Sequence, residues 1–142
     1  MGVLSDLVAA PSTAAEAIGR TRGPARQFGG IDIKGIDTIK LGMLHAMLTG
    51  ETFESLFPAY DPVVSVSDDG PWVFELPSAL VQRLGALDEP ALSATAASWA
   101  RTEEFEADGW SPKDVHAVLR DICAVARQAR SAEHSLFLWM SV

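Results

Sequence analysis

Ile31 to Gly50 reads IDIKGIDTIKLGMLHAMLTG, and the fold class turns on that stretch. Asp37 follows Gly35-Ile36 and opens an apolar run, where its carboxylate can accept from the free N–H groups of a first helical turn. Ile36 and Leu41 stand at staple positions. Gly50 sits where a helix ends in the left-handed conformation. Between these caps Ile39, Leu41, Met43, Leu44, Met47 and Leu48 spread around most of the circumference, with Lys40 and His45 the only strongly polar side chains. A helix apolar nearly all round is buried on several sides, so 37–49 is expected as the central buried helix. Gly42, at a cost of about 1 kcal/mol against Ala, implies close approach by another element.

Beyond Gly50, Thr52 caps a short turn through Leu56, closed by Pro58. Val63, Val64 and Val66, the turn residues Ser67 to Pro71, and Trp72 to Leu76 read as a hairpin over 63–76. Pro77-Ser78 starts a helix carrying Leu80, Val81 and Leu84. Asp88 caps another, with Leu92, Ala96 and Trp99 on one face. Its far end is read as Glu103 to Gly109, where negative charge opposes the helix dipole. Ser111-Pro112-Lys113-Asp114 is a helix start, followed by Val115, Val118, Leu119, Ile122, Val125, Ala126 and Ala129 at helical spacing. Ser135 to Val142, SLFLWMSV, is a continuous apolar run and therefore a buried strand.

Ahead of Ile31, residues 3–8 are expected to form one helical turn. Ser12 or Thr13 caps a short helix through Ile18, ended by Gly19. GRTRGPARQFGG, residues 19–30, reads as a loop. The fold class is α+β: a small antiparallel or mixed sheet, made of hairpin 63–76 and a strand over 135–141, packed with about five to six helices. Residues 1–142 read as a single domain.

The chain has 142 residues, 48% hydrophobic and 21% charged, with a net charge of −8. That composition excludes disorder. The charge argues against nucleic acid or an anionic membrane as partner, since both require clustered Lys and Arg. It permits a basic protein partner. No apolar run approaches the ~18 residues of a membrane span. A secretory signal is not expected, and the single Cys123 fits a reducing compartment, so the expected location is cytoplasmic.

The order of pieces carries a resemblance. GIDTIKLGMLHAMLTGE, the hairpin around DDGPWVFELP, LVQRLGALDEPAL, then W-S-P-K-D opening a long helix and ARSAEHSLFLWMSV at the end are similar to the small bacterial YfbM-like proteins, a family of undetermined function. In that family the stretch ending LLTGE also carries a Trp-His-x-hydrophobic-His pattern. Here His45 to Glu51 keeps the ending, while the aromatic and first His positions are not matched. The resemblance covers roughly residues 31–142. It implies an α+β fold in a bacterial cytosol and brings no catalytic residues.

Candidate sites fall into two groups. Asp37, Lys40 and His45 on the expected central helix, with the loop arginines Arg20, Arg22 and Arg26, form a candidate ligand site where that helix meets the hairpin. The bland alternative makes Asp37 a cap, Lys40 a snorkelling stem and His45 a hydrogen-bonded core residue. Trp110 with Glu103, Glu104, Glu106 and Asp108 forms a candidate interface, an aromatic anchor rimmed by acids. Its alternative is a staple from Trp110 to Val115. His45, His116, His134 and Cys123 match neither HExxH nor CxxC spacing, so no metal or other cofactor is expected. There is no G-x-S-x-G elbow and no phosphate loop. The reading is a non-enzymatic protein that works by protein–protein binding, in one version as an immunity-type neutraliser of a basic partner. The rival is a small-molecule-binding protein or enzyme using the first group of residues. Homo-oligomerisation through the hairpin edge or the terminal strand is a third possibility.

Overall fold

The apolar run near the end of the sequence lies in the middle of a sheet. A computed structural model describes residues 3–142. Within them run strands β1 (Leu4–Ala10), β2 (Gly30–Asp32), β3 (Val64–Ser65), β4 (Trp72–Glu75) and β5 (Ser135–Ser141). The helices are α1 (Ala15–Gly19), α2 (Ala25–Phe28), α3 (Thr38–Thr49), α4 (Phe53–Leu56), α5 (Ser78–Ala86), α6 (Glu89–Ala100), α7 (Glu103–Ala107) and α8 (Pro112–Ala132). The strands form one antiparallel sheet in the order β2-β1-β5-β4-β3. The architecture is α+β, with the hairpin and the C-terminal strand in one sheet.

Residues 3–8 do not form a helical turn. They belong to β1, which pairs along its whole length with β5, from Leu4 opposite Ser141 to Ala10 opposite Ser135. Both strands are covered on both faces over most of their length, so apolar residues occupy successive positions, as in Leu7 to Ala10 and Leu136 to Trp139, and no alternation marks them as strands. Leu7, Ala9, Leu136 and Leu138 face a thick helical layer containing α3, α5, α6 and α8. Val8, Ala10, Phe137 and Trp139 face a thin cover that includes Ile18 of α1 and Phe28 of α2. The 19–30 segment is likewise more ordered than a loop: it carries α2 and the first residue of β2.

β5 is hydrogen-bonded to β1 on one side and β4 on the other. It therefore offers no free edge for a second copy. The free edges belong to β2 and β3, three and two residues long, and short edge strands of this kind are poor templates for association.

Most of the local chemistry follows the side chains that cap each helix. Asp37 accepts from the Lys40 N–H at 2.9 Å, Thr52 from Ser55 at 3.2 Å, Asp88 from Ala91 at 2.9 Å and Ser111 from Asp114 at 3.1 Å. Gly50 closes α3 with φ +77°. α3 buries one side, with Lys40, Leu41, Gly42, Leu44 and His45 inside. Its other side leaves Ile39 and Met47 exposed. Gly42 admits the ring of Phe53, and a Cβ there would stand 2.7 Å from Phe53 Cε1. The helix that touches the sheet most broadly is α8, which packs on α5, α6, β1 and β5 through Val115, Leu119, Ile122, Ala126 and Ala129, all fully buried.

Candidate functional site

The polar groups of α3 are spent on architecture. Lys40 is only 3% exposed. Its Nζ donates to the Gly35 carbonyl at 2.8 Å and to Asp108 Oδ2, and it lies 5.3 Å from the centre of the Phe105 ring. The Lys40 carbonyl accepts from Trp99 Nε1 at 2.9 Å. Trp99, Phe105 and Trp110 meet edge to face in succession, with centroids 4.8 Å and 5.1 Å apart. One buried amine and three aromatic rings therefore tie α3 to α6, α7 and the start of α8.

His45 is also interior, at 2% exposure. Its Nδ1 is hydrogen-bonded to the Tyr60 hydroxyl at 3.0 Å, and its Nε2 has no partner among the described residues. Burial holds the imidazole below its ordinary pKa, against the opposing pull of Glu51, and burial pushes the Tyr60 phenol up. Both groups are neutral at pH 7.

Arg20, Arg22 and Arg26 are not brought to Asp37, Lys40 and His45. Lys40 and His45 sit in the thick helical layer, while the arginines lie on the opposite face of the sheet, on and beside the crossing from α1 to α2. There Arg20 and Arg22 line a groove of about 650 Å³ with Asp6, Asp32 and Trp139, which continues past Arg22 into a hollow of about 480 Å³ lined by Arg26. Asp6 is 7% exposed, and its Oδ2 accepts from the Ala25 N–H at 3.0 Å. Burial raises its pKa above the ordinary carboxylate value. Asp6, Asp32 and Trp139 were not among the residues singled out from the sequence. The available signal was an acid inside the apolar run LSDLVAA, which marks a buried charge once that run is a strand.

The acidic segment is a separate feature. α6 ends at Ala100, and Thr102 begins a new helix. Glu103, Glu104 and Glu106 therefore occupy the first turn of α7, where negative charge complements the dipole instead of opposing it. Glu103, Glu106 and Asp108 are exposed, and Glu104 is half-buried. Trp110 is half-buried, with one edge packed on Phe105 and another on Gly35, where a Cβ would lie 3.1 Å from the indole. The remaining surface of Trp110 forms a shallow depression of about 400 Å³ with Asp114, Ala117, Val118 and Asp121 of α8. These four share one face because they recur at helical spacing.

Among the described residues, no three His, Cys, Asp or Glu side chains gather as metal ligands, and no helix is long and apolar enough to cross a membrane. Compared with known proteins, the chain matches no family model, no curated protein and no solved structure.

Proposed function

We propose that this protein acts without catalysis, by binding a basic protein partner through the acidic face around Trp110. The observation that carries the reading is the depression itself. Its walls are Trp110, Asp114, Ala117, Val118 and Asp121, an aromatic flanked by two carboxylates with no basic side chain in the lining. Glu103 and Glu106 of α7, the helix that precedes Trp110 in the chain, are exposed and carry the same charge sign. An aromatic anchored on one edge loses little side-chain freedom when its open edge is covered, which favours it as a contact residue. A net charge of −8 steers such a surface onto a basic partner and makes association sensitive to salt. Neutralisation of a basic toxin is one concrete form of this activity.

The polar groups of α3 support the same reading, because Lys40 and His45 are committed to Gly35, Asp108 and Tyr60. A bacterial cytosolic setting and kinship with YfbM-like proteins belong to the same proposal, supported by the sequence motifs from Ile31 onward. The test is capture of a partner from native lysate by the wild type and by a Glu103→Lys, Glu106→Lys, Asp114→Lys, Asp121→Lys variant. The expected result is a basic protein retained by the wild type only, and released as salt is raised. Equal capture by both proteins removes this face from the function.

A further inference from the structure

One row of side chains crosses all five strands on the face covered by α1 and α2. The pairing places Asp32 opposite Asp6, Asp6 opposite Trp139, Trp139 opposite Val73, and Val73 opposite Val64. The valine end of the row is capped by the last residue of α1. Gly19 stands so close that a Cβ would lie 3.0 Å from Val64 Cγ1 and 3.4 Å from Val73 Cγ2. From there Arg20-Thr21-Arg22-Gly23-Pro24 carries the chain towards α2. The arch is fastened at its far end by the Ala25 N–H on Asp6 and at its near end by Thr21, whose hydroxyl donates to the Ala17 carbonyl at 2.6 Å. The groove lies beneath it, walled by Arg20, Arg22, Asp6, Asp32, Trp139 and Val66. Its volume of about 650 Å³ is in the range of small-molecule pockets.

The charges of the row are only partly compensated: Asp6 accepts from the Ala25 N–H and feels the nearby Arg26 charge, and Asp32 accepts from the Lys34 N–H at 2.9 Å. Asp6 and Asp32 face each other directly across two strands, and like charges in that relation destabilise a sheet. Asp6 is buried and Asp32 is exposed. Trp139 comes next, 6% exposed overall, and its indole N–H has no acceptor among the described residues. Above them stand exposed guanidiniums, and Arg20, Arg22 and Arg26 form no ion pair among the described residues. Guanidinium is built to hold a carboxylate or phosphate in bidentate fashion. Paired carboxylates call for the opposite group, an ammonium or another strong donor. Both needs occur within one groove, which also has an apolar side at Val66 and Pro71.

We propose that the groove beneath residues 20–24 binds a small amphoteric molecule, its carboxylate or phosphate held by Arg22 with a neighbouring arginine and its amine turned to Asp6 and Asp32. This site is on the opposite face of the sheet from Lys40 and His45 and is independent of the protein-binding role proposed for Trp110. A simple anion satisfies the arginines but faces repulsion from the carboxylates. A simple amine meets the reverse. Only a molecule bearing both charges gains at both ends, so selectivity for amphoteric ligands is the signature of the site.

The test is a titration of the full chain followed by the amide and indole N–H signals in nitrogen–proton correlation spectra, the Trp139 indole being assigned by Trp139→Phe. Four probes are used: phosphoethanolamine, β-alanine, inorganic phosphate and methylamine. The expected result is saturable shifts at the Trp139 indole and the Ala25 amide with phosphoethanolamine or β-alanine, at an affinity about tenfold or more above that for phosphate or methylamine. Whichever amphoteric probe is tighter identifies the anion as phosphate or carboxylate. Arg22→Gln is expected to weaken that probe by about tenfold, and Asp32→Asn to bring its affinity within about twofold of the simple anion. Both positions are exposed, and melting temperatures no lower than that of wild type show that each variant folds. The proposal is overturned if no probe gives saturable shifts up to about 20 mM, if phosphate alone binds as tightly as the amphoteric probes, or if Arg22→Gln leaves binding unchanged.

Discussion

Replacing Lys40 in two ways separates its buried stem from its buried charge. The side chain is 3% exposed, and its ammonium is held by the Gly35 carbonyl and by Asp108. Lys40→Met keeps the unbranched stem and removes the ammonium. Asp108, whose side chain is 55% exposed, rehydrates at little cost, and its ion pair is worth little at that exposure. The Gly35 carbonyl loses its lysine donor, which costs about 1–3 kcal/mol. Removal of a buried ammonium, which was itself expensive to desolvate, offsets part of that. The expected loss for Lys40→Met is therefore about 1–2 kcal/mol. Lys40→Ala adds the loss of three buried methylenes at about 0.8 kcal/mol each, together with a cavity beside Phe105 and Trp99. Its expected loss is about 3–5 kcal/mol. Equilibrium urea unfolding, read by tryptophan fluorescence and by far-ultraviolet circular dichroism, measures both. If both variants stay within about 0.5 kcal/mol of wild type, as surface substitutions do, Lys40 is not an interior residue. Two equal, large losses would mean that the charge, not the stem, dominates.

Other outcomes follow from the same geometry. His45 is held neutral by burial, so its pKa is depressed in the fold. The stability this protects is complete above the unfolded value of 6.5 and is lost as pH falls below it, because the unfolded chain then binds a proton that the fold refuses. Urea midpoints at pH 7.5 and 5.5 should differ more for wild type than for His45→Gln, and equal differences would contradict this. Glu133 ends α8 at φ 56°, a left-handed position that suits glycine, so Glu133→Gly should gain about 1 kcal/mol in a thermal melt; a loss would show that its side chain is needed there. Leu44 is fully buried, so Leu44→Ala should cost about 2–5 kcal/mol by urea denaturation. The Cys123 thiol, pushed up to about 11 by burial, should resist a disulfide reagent at pH 8 until urea is added, and immediate modification of the native protein would refute its burial.

Features fixed by near neighbours were legible in the sequence. Asp37, Thr52, Asp88 and Ser111 cap the helices they precede, because a cap needs only a side-chain oxygen and an N–H two or three residues on. The hairpin and the terminal strand follow from turn chemistry and a dense apolar run. β1 was hidden because a strand buried on both faces carries no alternation, and β2 because three residues starting at a glycine carry no pattern at all. The acidic stretch reads as the end of α6, not the start of α7, because the break at Arg101 and Thr102 contains neither glycine nor proline. The apolar content of α3 was read correctly, but composition alone does not say that Ile39 and Met47 face water. At the candidate sites the decisive pairs are distant in sequence. Lys40 meets Asp108 and Asp6 meets Trp139, and only strand register and helix packing bring them together.

The position of β5 has a consequence for how the molecule is made. Its partners β1 and β4 are translated well before it, and Ser5 waits for Met140. Until the ribosome has delivered β5, Leu7 and Val8 are paired on the β2 side alone, and the hairpin lacks its neighbour strand. Helices close by local contacts in the meantime, whereas the longest-range pairing in the molecule comes last. Newborn chains of this protein therefore pass through a stage in which sticky strands are displayed unmatched, and chaperone demand should be greatest at that stage.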